Sequence, residues 1–182
     1  DVGATAAFAD EAAALGIEIL VNNAGTTKIS DFAEIRPDDF TRIQQVNVTA
    51  PFLLSRAVVP AMKEAGWGRI IQIASIFGIV SRQGRASYST SKAALDGMTA
   101  ALSAEVAQVG ILANCVSPGF VETDMTRKSL GRAGMDELAT RVPARRLGTP
   151  QEIAALVAWL AGPENTYISG QNIAIDGGFT RV

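Results

Sequence analysis

The chain has 182 residues, 48% of them hydrophobic, which is enough for one substantial core in a single domain. Its 16 basic and 18 acidic residues are interspersed, so it carries neither a nucleic-acid footprint nor a polybasic membrane surface. It contains no histidine, which excludes Ser-His-Asp and Cys-His catalysis within this chain and removes the commonest zinc ligand, so no metal site is expected.

The lone Cys115 has no internal disulfide partner and fits a reducing cytoplasm. It stands in the apolar run 111–116 and reads as a buried, inert thiol. No stretch approaches the roughly 20 apolar residues of a membrane span, and no basic-then-apolar leader is visible.

In chain order, residues 5–15 are alanine-rich with helical spacing, and Gly16 is a plausible stop. Residues 17–21 form a short apolar strand running into Asn22-Asn23-Ala24-Gly25. A long helical stretch follows over 37–65, where Pro51 and Pro60 predict bends or breaks. Residues 69–74 predict a strand that ends at Ser75. A helix carrying Tyr88 and Lys92 then runs to about Gln108. A strand over 112–116 leads to Ser117-Pro118-Gly119.

Residues 122–148 are polar and flanked by turn formers, and read as a mobile excursion. Thr149-Pro150-Gln151-Glu152 is a helix start with a capping box. A last strand at 172–175 closes on Asp176-Gly177-Gly178. Strands alternating with helices predict an α/β doubly wound parallel sheet, Rossmann-like. Its ligands would lie beyond the carboxyl ends of the strands.

Tyr88 and Lys92 are i and i+4 on one helix and share a face. An ammonium near a phenol favours phenolate and lowers its pKa from about 10. With Ser75 able to polarise a carbonyl, the trio suggests proton transfer to a carbonyl or from an alcohol. Each fragment taken alone is weak: Asn22 and Asn23 read as turn residues, and Ser117-Pro118-Gly119 as a turn. Asn47 is a poor helix former in mid-helix, and a local kink would explain it.

Asn22-Asn23-Ala24-Gly25, Asn47, Ser75, Tyr88 with Lys92, Ser117-Pro118-Gly119 with Thr123, and Asp176-Gly177-Gly178 stand in matching order and spacing. Together they resemble the short-chain dehydrogenase/reductase family. The resemblance implies catalytic roles. Tyr88 would be the acid/base, Lys92 would tune it and bind the nicotinamide ribose, Ser75 would hydrogen-bond the substrate oxygen, and Asn47 would hold a relay water. Cofactor contacts are implied for Asp1, Asn23, Ala24, Gly25, Tyr88, Lys92, Pro118, Gly119, Val121 and Thr123. The cofactor would be NAD or NADP, with no residue here that selects between them.

The family's glycine-rich phosphate loop is not in this sequence, and Asp1-Val2 resembles the Asp-Val after the family's third strand. Residues 1–182 therefore read as one domain, the C-terminal two thirds to three quarters of a family member. It would lack the first strands, with an exposed apolar strand at 17–21 and a substrate lid at 122–148. Alone it is expected to turn over weakly or not at all.

The resemblance is closest to 3-oxoacyl-acyl-carrier-protein reductases and to sugar and polyol dehydrogenases, and it implies an acyl-carrier substrate about equally with a sugar, sugar acid or polyol. A non-catalytic binding or oligomerisation fragment is the alternative of another class. Expected partners are a small carbonyl or alcohol substrate, possibly acyl carrier protein, and further copies in a homodimer or homotetramer; nucleic acid and membrane are not expected. At the places where carrier-dependent members put basic residues stand Gly66 and Val109, with Lys63 and Arg69 nearby.

Overall fold

A computed structural model describes residues 2–182. Helix α1 (Val2–Ala14) ends at Gly16, whose φ of 62° turns the chain into strand β1 (Ile19–Asn22). Helices α2 (Pro37–Gln44) and α3 (Ala50–Ala65) precede β2 (Gly68–Ile73), and α4 (Ala86–Val106) precedes β3 (Ile111–Pro118). Helices α5 (Asp124–Thr140) and α6 (Pro150–Ala161) lead to β4 (Asn172–Ile175).

The four strands form one sheet in the order β1-β2-β3-β4, and every pair is parallel. Parallel pairing needs crossovers, and the helices supply them on both faces. The register sets Leu20, Ile70 and Ala113 side by side across β1, β2 and β3. On that face Ile70 and Ala113 pack with Ala12, Val58, Met62 and Val106 from α1, α3 and α4. The neighbouring residues Ile71 and Val116 face the other way, onto Leu160 and Ala161 of α6. This second layer covers β2 and β3 but leaves Ile19 and Val21 of β1 exposed, as the strand pattern predicts.

The break in the long helical stretch does not fall at Pro60, which lies within α3. It falls at a π-turn over Gln45–Thr49, centred on the fully buried Asn47. Pro51, in the first turn of α3, has no N–H to give the Asn47 carbonyl four residues back. The ladder widens where it would lose a bond in any case.

Residues 122–148 are mostly helical, contrary to the expected irregular excursion. Helix α5 starts at Thr123, whose hydroxyl accepts the Thr126 N–H, and is broken at Gly131 (φ 62°, ψ −177°). It has no apolar period to mark it. Ion pairs at helical spacing run along it instead: Arg127–Asp124, Arg132–Asp136 and Arg141–Glu137. Below it, Val142 and Leu147 are buried. The capping box of α6 forms as expected: the Thr149 hydroxyl accepts the Glu152 N–H, and the Glu152 carboxylate accepts the Thr149 N–H.

Candidate active site

Parallel pairing brings the carboxyl ends of β1, β2 and β3 to one rim, where the segments after them meet the start of α4. Ser75 follows β2 and caps a short turn over Ile76–Gly78. Its Oγ accepts the Phe77 N–H at 3.1 Å, which leaves its own proton free to donate into the cleft. That turn lies hard against α4: a Cβ on Gly78 would stand 2.8 Å from the Lys92 carbonyl carbon, so only glycine permits the approach.

Tyr88 and Lys92 enter the same cleft one helical turn apart, the Lys92 ammonium 5.6 Å from the centre of the tyrosine ring. Lys92 is almost wholly buried and donates to the Ile73 carbonyl at 2.7 Å. Burial pushes its pKa down to about 8. The phenol does not behave as its spacing to lysine predicts. Burial raises the Tyr88 pKa above its ordinary value, while the Ser75 hydroxyl and the Arg85 charge pull it the other way. The Lys92 ammonium rests on a backbone carbonyl and is not among the groups that move the phenol.

Asn47 braces the site from behind. Its Oδ1 accepts the Thr26 N–H at 2.8 Å, and its Nδ2 donates to the Thr26 carbonyl and the Ser91 hydroxyl, each at 2.9 Å. The loop after β1 is thereby tied to α4. Gly25 passes directly over this junction: a Cβ there would meet Lys92 Nζ at 3.5 Å and Asn47 Oδ1 at 3.6 Å. Cys115 lies beneath, fully buried against Thr99, its thiol pushed up to about 11 by burial. That suits an inert core residue.

Ser75, Tyr88 and Lys92 share a cleft of about 400 Å³ with Asn23, Gly25, Pro118 and Gly119. Val121 and Thr123 line an adjoining apolar groove of about 350 Å³ that has Asn23 and Pro118 in common with the first. Ala24 faces a separate depression beside Arg42 and Leu53. Asp1 lies outside the described residues.

Three contributors have no signal in sequence. Phe77 meets Tyr88 edge to face at 6.5 Å and continues through Phe120 to Phe179 as a row of rings. Thr27 lines the cleft, and Arg85 donates to its hydroxyl at 3.2 Å.

Among the described residues no helix is long and apolar enough to cross a membrane. A family model described as enoyl-(acyl carrier protein) reductase matches residues 1–180. The 3-oxoacyl-(acyl-carrier-protein) reductase of Vibrio cholerae is 42% identical over 163 residues, 90% of this chain and 66% of the relative. The acetoacetyl-CoA reductase of Cupriavidus necator is 38% identical over 89% of this chain and 65% of the relative. The chain thus spans about two thirds of the length of the curated relatives it matches. A gluconate 5-dehydrogenase from Burkholderia cenocepacia, solved with NADP and tartrate, superposes with a TM-score of 0.92 at 33% identity, covering all of this chain and 72% of that one. Matched by the family model over nearly its whole length and by such relatives over nine tenths of it, the chain belongs to the short-chain dehydrogenase/reductase family.

Proposed function

We propose that this protein is an NAD(P)-dependent oxidoreductase that interconverts a carbonyl and a secondary alcohol. The observation that carries the reading is the gathering of Ser75, Tyr88 and Lys92 in one cleft floored by Asn23, Gly25, Pro118 and Gly119. That cleft fits the nicotinamide-ribose end of a dinucleotide. The Gly25 backbone leaves the Lys92 ammonium open to a hydroxyl-bearing ligand, where a longer side chain would cover it. A nicotinamide dinucleotide, when bound, supplies or accepts the hydride.

In the reducing direction Ser75 donates a hydrogen bond to the carbonyl oxygen and strengthens as charge builds there. The Tyr88 hydroxyl gives its proton to that oxygen, leaving a phenolate that solvent reprotonates. A phenol pushed up by burial keeps its proton at neutral pH and suits this donor role. The Ser75 hydroxyl and the Arg85 charge, which pull the phenol pKa down, stabilise the phenolate left behind, and Lys92 binds the nicotinamide ribose. Asn47 keeps the Gly25–Thr27 loop and α4 in register, and its role as a water relay belongs to the same reading.

The finer reading is reduction of 3-oxoacyl thioesters, as the name of the V. cholerae relative suggests. Oxidation of sugar acids is the second reading, favoured by one observation. Arg69, a candidate contact for an acidic carrier, is buried. Its guanidinium is spent on the carbonyls of Gly68, Gly110 and Asn165 and stacked over Trp67. That leaves Lys63 alone to meet an acyl carrier protein at this place. We read the enzyme as cytoplasmic, with residues 122–148 as a lid over the substrate. Its copies pair through the long helices, where Ala93, Gly97, Ala101 and Ala104 stand exposed on α4 and Phe52 on α3.

The test is turnover of 3-oxoacyl thioesters, sugar acids and polyols with NADH and NADPH, using the protein as its gene encodes it. Turnover in one substrate class supports the reading. No turnover of any of them, with either cofactor, contradicts it.

A further inference from the structure

Two guanidinium groups lie over the Phe77 ring: those of Arg82 and Arg85 are each 5.4 Å from its centre. The same ring meets Tyr88 edge to face. Two cations are therefore fixed beside the tyrosine, held by an aromatic plate and by the Thr27 hydroxyl. They differ from most of the lid arginines. Arg127, Arg132, Arg141 and Arg146 each sit on a carboxylate and Arg145 donates to the Thr140 carbonyl, whereas Arg82 and Arg85 have no acidic partner among the described residues. The Arg85 Nε is buried with no acceptor, and only Nη1 of its fork is engaged. Arg85 is half-buried beside the exposed Arg82, and both burial and the like charge disfavour its cation, a cost that a bound anion would offset.

We propose that Arg85, backed by Arg82, is a specificity-determining residue that holds an anionic group of the substrate, a carboxylate or a phosphate, beside Tyr88. The proposal rests on the oxidoreductase reading of the cleft and narrows it to acidic substrates. A planar guanidinium fork matches the two oxygens of either group, and its fixed position on Phe77 lowers the ordering cost of binding. Because Arg85 is tied to Thr27, which lines the cleft with Tyr88, an anion held there would fix which carbonyl of a polyfunctional molecule reaches Tyr88 Oη.

The experiment is a ligand-observed NMR titration of the protein at low salt with three probes: tartrate, inorganic phosphate and the neutral polyol erythritol. Tartrate or phosphate should bind the wild type more tightly than erythritol does, and the tighter of the two names the anion class. Arg85→Gln should weaken that anion about 10- to 100-fold, the range expected for a charge-assisted hydrogen bond, and leave erythritol unchanged. Arg85→Lys should recover part of the loss. Arg82→Gln, at an exposed position, should weaken the anion by a smaller factor. The proposal is overturned if neither anion binds the wild type, or if Arg85→Gln binds them as the wild type does. Binding is read here without turnover, so failure of the oxidoreductase reading would show separately in the activity of Tyr88 variants.

Discussion

Lys92 carries a charge that the fold disfavours. Its pKa falls from 10.5 to about 8 because its ammonium is buried with a backbone carbonyl as its hydrogen-bond partner. A depressed lysine binds fewer protons folded than unfolded. Its contribution to stability is therefore fully present above 10.5 and is lost as pH falls toward 8. At pH 7 Lys92→Met should raise stability by about 2 kcal/mol, the desolvation saved less one lost hydrogen bond. The gain should vanish above pH 10.5. Denaturant unfolding at both pH values checks this, and a Lys92→Met protein less stable at pH 7 would contradict it. A residue kept against stability suits the role proposed for Lys92 in the chemistry. Its position was legible in sequence because Tyr88 and Lys92 lie on one helix, where spacing alone fixes geometry. The effect on the phenol was not legible, because it depends on burial and on Arg85 and Ser75, which tertiary structure brings in.

At the scale of elements, the π-turn at Gln45–Thr49 turns a poor helix former into a brace. Asn47 makes three hydrogen bonds across two elements from a fully buried position. Removing them with Asn47→Ala should cost about 2–4 kcal/mol, since buried partners are left unpaired. The Thr26 amide should then exchange with solvent at least tenfold faster, which hydrogen exchange would read. Unchanged Thr26 protection would show that the loop after β1 is held by something else. Asn47, a poor helix former in mid-helix, suggested this kink in the sequence; its link to Pro51 four residues on came from the structure, and Pro60 lies within α3. Helix α5 was hidden for a different reason. Hydrophobic period is the usual sign of a helix, and α5 lies on the surface with alternating charges in its place.

The whole molecule is one parallel sheet with its chemistry on one rim and an exposed apolar strand on one side. The parallel sheet and its layering were legible because strands alternating with helices permit few arrangements, whereas the strand order was not read from the sequence. The contacts of Phe77, Phe120 and Phe179 were not legible, since each joins segments far apart in the chain. The outer face of α4 is lined with small residues, and a Cβ on Gly97 would meet nothing within 4 Å. If copies pair there, Gly97→Arg should shift the assembly toward monomer in light scattering while the fold is retained. An unchanged mass would move the interface elsewhere.

The proposed function makes Tyr88 the proton donor and acceptor of a carbonyl/alcohol oxidoreductase. The most direct measurement is steady-state reduction by wild type and Tyr88→Phe of the substrate the panel identifies, with cofactor binding measured alongside. Phenylalanine keeps the ring against Phe77 and removes only the hydroxyl. The account predicts a fall in kcat of about 10²–10⁴ with cofactor affinity little changed. Turnover by Tyr88→Phe at the wild-type rate would contradict it.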